Sequence, residues 1–198
     1  MRSAKMNGYQ GKFESSFLSC EKDAEGIIKK LFVDSKPYSD MLKRLLLINT
    51  QDCLDNMTNQ EYVNIIKSTS IKDLIDENYI RFKPKITRGE NEQVKNYLVI
   101  SFDNFVPNDN NPYYRDCVVM IDILCHTDYW DIGNYRQRPL KIAGYIDGIL
   151  NNTKLSGIGK LQFLGCNELV LSEEISGYCL MYAATHGVDD IETIDIND

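Results

Sequence analysis

The sequence predicts an α+β fold: an antiparallel sheet with one main amphipathic helix packed on it, preceded by an N-terminal helical segment. Apolar residues recur at helical spacing between about 23 and 80, and short β-branched and apolar runs separated by turn residues fill 95–187. A single helical stripe interrupts those runs at 139–152. With 198 residues, 43% of them apolar and 10% aromatic, the chain can bury one sizeable core.

Residues 1–20, MRSAKMNGYQGKFESSFLSC, mix Gly, Ser and Lys without a sustained period, which predicts a flexible arm. From Asp23 onward Ile27, Ile28, Leu31 and Phe32 form a helical stripe. Pro37 suits the first turn of a second helix, whose broad apolar face is Met41, Leu42, Leu45, Leu46 and Ile48. Thr58, with Glu61 three places on, has the spacing of a capping box and marks a third helix start. IKDLIDENY (71–79) is a short fourth segment.

The period then changes toward strands. YLVISF (97–102) and DCVVMIDILCH (116–126) are rich in β-branched and apolar residues. The link DNFVPNDNNPYYR carries turn chemistry and joins them as a hairpin with a long loop. In the second strand Cys117, Val119, Ile121, Ile123 and Cys125 make one apolar face. The opposite face, Val118, Met120, Asp122 and Leu124, is also mostly apolar, so this strand is central with both sides covered, or is covered by another subunit.

PLKIAGYIDGILNN (139–152) places Ile142, Ala143, Ile146, Ile149 and Leu150 on one stripe, and Pro139 is tolerated in the first turn. KLQFLG, ELVLSEE and GYCLMYAATH follow as three strands separated by Gly and Asn turns. Residues 21–187 therefore form a single domain, with helices at about 23–80 and the sheet-and-helix core at about 95–187. Residues 188–198 are an acidic tail.

Charge excludes one large class of partner. Twenty-two bases against 29 acids give −7, and the last ten residues, DDIETIDIND, hold five of the acids and no base. The remainder is close to neutral, without the clustered Lys/Arg that phosphate contacts require, so sequence-specific nucleic-acid binding is not expected. Six cysteines without zinc spacing, and without a secretory segment ahead of them, predict reduced, mostly buried thiols and no metal. The longest apolar run, LLLI (45–48), is too short to cross a membrane.

Candidate chemistry is sparse. GIGK (157–160) lacks the spacing and the Ser or Thr of a phosphate loop, and NDNNP (108–112) lacks the Gly and closing Glu of a calcium loop. The densest cluster is HTDYWDIGNYRQRP (126–139), with one of two histidines, the only tryptophan, two aspartates and two arginines. His126 with Asp128 and Asp131 could bind a metal or form an acid–base set, but the aspartates equally suit backbone donors in an irregular loop. Asp122 inside an apolar strand fits a buried hydrogen bond or salt link. No cofactor is expected.

The segment from about 97 to 187 resembles the tail terminator or tail completion family found at the necks of tailed bacteriophages. The likeness rests on element order: YLVISF, CVVMIDILCH, the link YWDIGNYRQRP, the helix LKIAGYIDGILN, then KLQFLGC, ELVLSEE and GYCLMYAATHG. The resemblance implies a non-enzymatic virion protein that forms a homo-oligomeric ring, often a hexamer, on the tail tube against neck or connector proteins. DNA would pass through it without specific binding. As anchors for subunit contact it points to Tyr113, Tyr114, Tyr129, Trp130, Tyr135, Arg136 and Arg138, while the rings of the link equally suit closing the end of the sheet within one subunit. The alternatives are a head completion or adaptor protein of the same neck, and a small metal-dependent hydrolase using Asp122, His126 and Asp128.

Overall fold

The computed structural model describes residues 20–82, 95–110 and 114–186. The acidic tail, Tyr113 and all of the expected arm except Cys20 lie outside the described residues. Cys20 itself opens α1 (Cys20–Phe32), which buries the stripe read from its spacing: Ala24, Ile27, Ile28, Leu31 and Phe32. Glu21 and Asp23 in its first turn, with Lys29 and Lys30 in its last, oppose the helix dipole.

α2 (Tyr38–Leu47) buries Leu42, Leu45 and Leu46, and Pro37 stands at its cap rather than inside its first turn. α3 (Gln60–Ser68) starts one residue later than Thr58 predicts. Its cap is Asn59, whose side chain accepts from the Glu61 N–H at 2.9 Å. A capping box does form, but at α4 (Ile71–Asp76), where Ser70 Oγ accepts from the Asp73 N–H and the Asp73 carboxylate accepts from the Ser70 N–H. The shorter Asp does there what Glu usually does.

Among the described residues five strands form one sheet, in the order β1 (Ile80–Arg81), β2 (Tyr97–Pro107), β3 (Arg115–His126), β7 (Ile175–His186), β6 (Gln162–Val170). β1 (Ile80–Arg81) is a parallel addition to β2 that the sequence pattern did not reveal; two residues leave no period to detect. β2 (Tyr97–Pro107) and β3 (Arg115–His126) make the expected antiparallel hairpin, with longer strands than expected. β3 is central, paired along its whole length with β7 (Ile175–His186), from Arg115↔His186 to His126↔Ile175. β6 (Gln162–Val170) closes the other edge.

KLQFLG and ELVLSEE are thus not two strands. Gly165, Cys166 and Asn167 stay in the ladder opposite Met181, Leu180 and Cys179, and a register shift between Phe163 and Gly165 leaves Leu164 as the extra residue. Gly and Asn mark bulges as well as turns, and here they mark a bulge. α5 (Arg138–Leu150) and the small hairpin of β4 (Lys154–Leu155) with β5 (Gly159–Lys160) lie between β3 and β6.

The helices share one face of the sheet. Their stripes meet Leu98 and Ile100 of β2, the Cys117 to Cys125 face of β3, and Leu180, Tyr182 and Ala184 of β7 in one apolar core. The opposite face is covered at one end only, where Leu124 packs with Tyr97, Val99 and Ile175. Toward the other end Val118 and Met120 are half-buried, so the second apolar face of β3 is partly open among the described residues.

Candidate interaction site

The 126–139 link is built around backbone hydrogen bonds. His126 is 6% exposed, and its Nδ1 accepts from the Asp128 N–H at 3.2 Å, capping the 3-10 turn Thr127–Tyr129. That bond occupies the lone pair a metal would need, with Asp128 Oδ2 3.6 Å away. Gly133, Asn134 and Tyr135 all take left-handed backbone angles, φ 70°, 51° and 60°. A single bridge between Asp131 and Gln137 closes the loop.

Its two arginines face inward. Arg138 is fully buried: Nε donates to Tyr129 O at 2.7 Å, Nη1 to Leu45 O at 2.6 Å and Ile48 O at 3.0 Å, and Nη2 to Thr50 O at 2.9 Å. It locks the link onto the C-terminal end of α2, where a cation also suits the helix dipole. Arg136 is half-buried, ion-paired with Asp55, and donates to Ile132 O and Gly133 O at 3.2 Å each. Trp130 packs on the main core with its ring centroid 6.5 Å from that of Tyr178, and Tyr129 is half-buried.

The residues expected at a subunit contact are therefore not gathered at one place. Tyr135 is wholly exposed at the loop tip. Tyr114 is 40% exposed but precedes β3, whereas the link follows it, so twelve residues of strand separate them, roughly 36 Å. Arg138 has committed its donors within its own subunit.

The hydrolase residues are not assembled either. Asp122 and His126 lie on the same face of β3 but four residues apart, roughly 13 Å. Asp122 is 8% exposed and stands directly opposite Cys179; burial pushes its carboxyl above the usual range. Among the described residues no three His, Cys, Asp or Glu side chains stand together to hold a metal, and no helix is long and apolar enough to cross a membrane.

Sequence reasoning missed the exposed apolar residues at the sheet's two edges. On β6 they are Phe163, 42% exposed, Leu164, 57%, and Val170, 66%. Beside β2 a groove of about 640 Å³ is lined among the described residues by Glu21, Ala24, Phe82, Ile100, Phe102 and Phe105. A signal was present: two adjacent apolar residues such as Phe163 and Leu164 cannot both face one core from a regular strand.

Among solved structures the fold is similar to a chain in the virion of a native gene transfer agent particle, at 11% identity and a TM-score of 0.37, covering 61% of this chain and 87% of that one. No curated protein matches. The YomW family model matches residues 39–184, most of α2 through β7, so the chain belongs to the phage-derived YomW family.

Proposed function

We propose that this chain is a structural virion protein of a tailed bacteriophage, a ring-forming tail terminator or tail completion protein at the head–tail junction. The observation that carries the reading is the build of the core: β2, β3, an aromatic link, α5, then β6 and β7, inside a segment belonging to a phage-derived family. A non-enzymatic role agrees with the chemistry of the link, whose histidine and arginines serve backbone groups of their own subunit. In this reading identical copies form a ring, a hexamer, seated on the tail tube and against neck proteins. The protein assembles in the host cytoplasm and stays in the virion. Its net charge of −7 suits a channel that DNA must cross without adhering.

Tyr114 and Tyr135 are the contact residues that this reading retains from the sequence, since both are exposed. The test is electron microscopy of particles made from a phage genome lacking this reading frame. Filled heads beside unjoined tails of uncontrolled length are expected. Tails of normal length beside leaking heads would instead place the protein on the head side as a completion or adaptor protein. Intact infectious particles would overturn the proposal.

A further inference from the structure

We propose that the outer face of α5 is a docking site for α5 of a second copy of this chain, the two helices packing antiparallel across a two-fold axis that passes close to Gly144. The inference goes beyond the ring reading above and does not rest on it, because a two-fold contact closes on itself and leaves a ring contact to other surfaces.

α5 turns its stripe of isoleucines to the core, and its opposite face carries Leu140, Lys141, Gly144 and Gly148, all exposed. Residues four apart on a helix stand one above the other, so Leu140, Gly144 and Gly148 make one ridge that is high at one end and bare at the other. A Cβ added at either glycine would meet nothing within 4 Å. Beside the ridge Tyr38 stands 5.9 Å from Tyr145, ring centroid to ring centroid, and the two rings wall a groove of about 410 Å³. Leu140 is 47% exposed and Tyr38 53%, apolar surface that a lone subunit leaves in water.

The occupant follows from the order of residues about the helix midpoint. Arg138–Leu150 is centred on Gly144, with Gln137 at one cap and Asn151 at the other. Leu140 stands four residues before the centre and Gly148 four after; Lys141 stands three before and Asp147 three after. Two such helices, antiparallel about Gly144, bring each Leu140 level with the bare Gly148 of the other copy, where it enters the gap between positions 144, 147, 148 and 151. Each Lys141 comes level with the other copy's Asp147, whose Oδ1 accepts from Tyr182 at 3.2 Å and whose Oδ2 has no partner among the described residues. Knob meets gap and cation meets acid, so the face is complementary to itself, which is what a two-fold contact requires.

The helix ends agree. Asn151 Oδ1 accepts from the Phe163 N–H at 3.3 Å, which fixes Phe163, 42% exposed, beside the C-terminal cap of α5. Tyr135, wholly exposed, stands two residues before the N-terminal cap on the left-handed turn that Arg136 ties to Asp55. Antiparallel pairing lays the Phe163 end of one copy against the Tyr135 end of the other. Two rings that the subunit leaves exposed thereby come together, twice in each pair.

The experiment compares the full-length parent with Gly144→Gln and Leu140→Gln by sedimentation equilibrium over a concentration series, with circular dichroism as the folding control. Glutamine suits a helix better than glycine and finds open space at 144, so the Gly144→Gln subunit should unfold no earlier than the parent. The parent is expected as a dimer or a multiple of dimers, and each variant should weaken the pairing on the order of 100-fold. Leu140→Gln carries the comparison alone if Gly144→Gln misfolds. Symmetry is read from Gly144→Cys combined with Cys166→Ser, which removes the exposed native thiol. Mild oxidation should join two copies through position 144 on both, since only a two-fold axis sets a residue against its own counterpart. A parent that is monomeric throughout, undiminished association of both glutamine variants, or no cross-link between the two 144 positions would overturn the inference. Rings that persist in Gly144→Gln would leave the ring reading standing without this contact. Pairing lost in Gly144→Gln, together with intact particles from a genome lacking the chain, would keep the contact and overturn the ring reading.

Discussion

Arg138 holds the link and the second helix together, and its replacement gives the most quantitative check on this architecture. Arg138→Met keeps most of the volume but removes four hydrogen bonds of 2.6 to 3.0 Å, leaving the carbonyls of Leu45, Ile48, Thr50 and Tyr129 without that donor, the first two of them at buried bonds. Bonds to a charged donor contribute about 1.5–3 kcal/mol each, but they share one group and do not add. Breaking a satisfied buried charge typically costs about 3–5 kcal/mol, so about 4 kcal/mol is expected. For a chain of this size that lowers the unfolding midpoint by roughly 8–16 °C. Arg138→Lys keeps the charge but cannot span four acceptors from one ammonium, and about half that loss is expected. Urea unfolding followed by tryptophan fluorescence measures both, since Trp130 lies in the same link. Arg138→Met within 1 kcal/mol of the parent, or Arg138→Lys indistinguishable from it, would refute the argument.

Three other outcomes follow from local geometry. At Gly177 a Cβ would sit 1.7 Å from Ile123 O and 2.8 Å from Ile123 C in the backbone of the central strand, so Gly177→Ala should cost more than about 3 kcal/mol or abolish folding, as read by expression and circular dichroism. Gly165→Ala, which meets only the end of Met181 at 3.5 Å, should be tolerated in the same assay. Mass-resolved alkylation of the native protein should label exposed Cys166 first; burial pushes Cys117, Cys125 and Cys179 up to about 12 and should protect them until unfolding. Burial raises the Asp122 carboxyl, so the fold favours its neutral form, a contribution fully present below the ordinary value of 3.8 and lost as pH rises through the raised one. Asp122→Asn should therefore raise the unfolding midpoint at pH 7, and that advantage should disappear in scans below about pH 3.8.

Periodic elements were legible because their burial follows from spacing alone. The stripe Ile142, Ala143, Ile146, Ile149, Leu150 is the buried face of α5, and the odd-numbered residues from Cys117 to Cys125 are the core face of β3. Local signals failed where two structures share one signal. Gly165 and Asn167 are turn residues by composition, and only the pairing of β6 with β7 decides that they continue a strand. Asn59 and Thr58 are both good caps, and the choice between them depends on where the backbone leaves the helix, a matter of one residue.

The link shows a deeper limit. Rings and arginines crowded into fourteen residues fit an exposed contact surface, and nothing within them reveals the carbonyls of 45, 48 and 50, nearly ninety residues upstream, that take up Arg138. A guanidinium beside a helix C-terminus is drawn inward by unsatisfied carbonyls as readily as an exposed one is drawn to a neighbour's acid. With those donors committed, the exposed apolar side chains lie elsewhere, on β6 and beside β2. Neither place was conspicuous in the sequence, because an apolar residue on an edge strand looks the same as one in a core. Burial distinguishes them: Leu124 on the central strand is wholly buried within the subunit, whereas Leu164 on the edge strand is 57% exposed. What the sequence concentrates at the link therefore fixes the subunit's own fold, and what it scatters over β6 stays exposed.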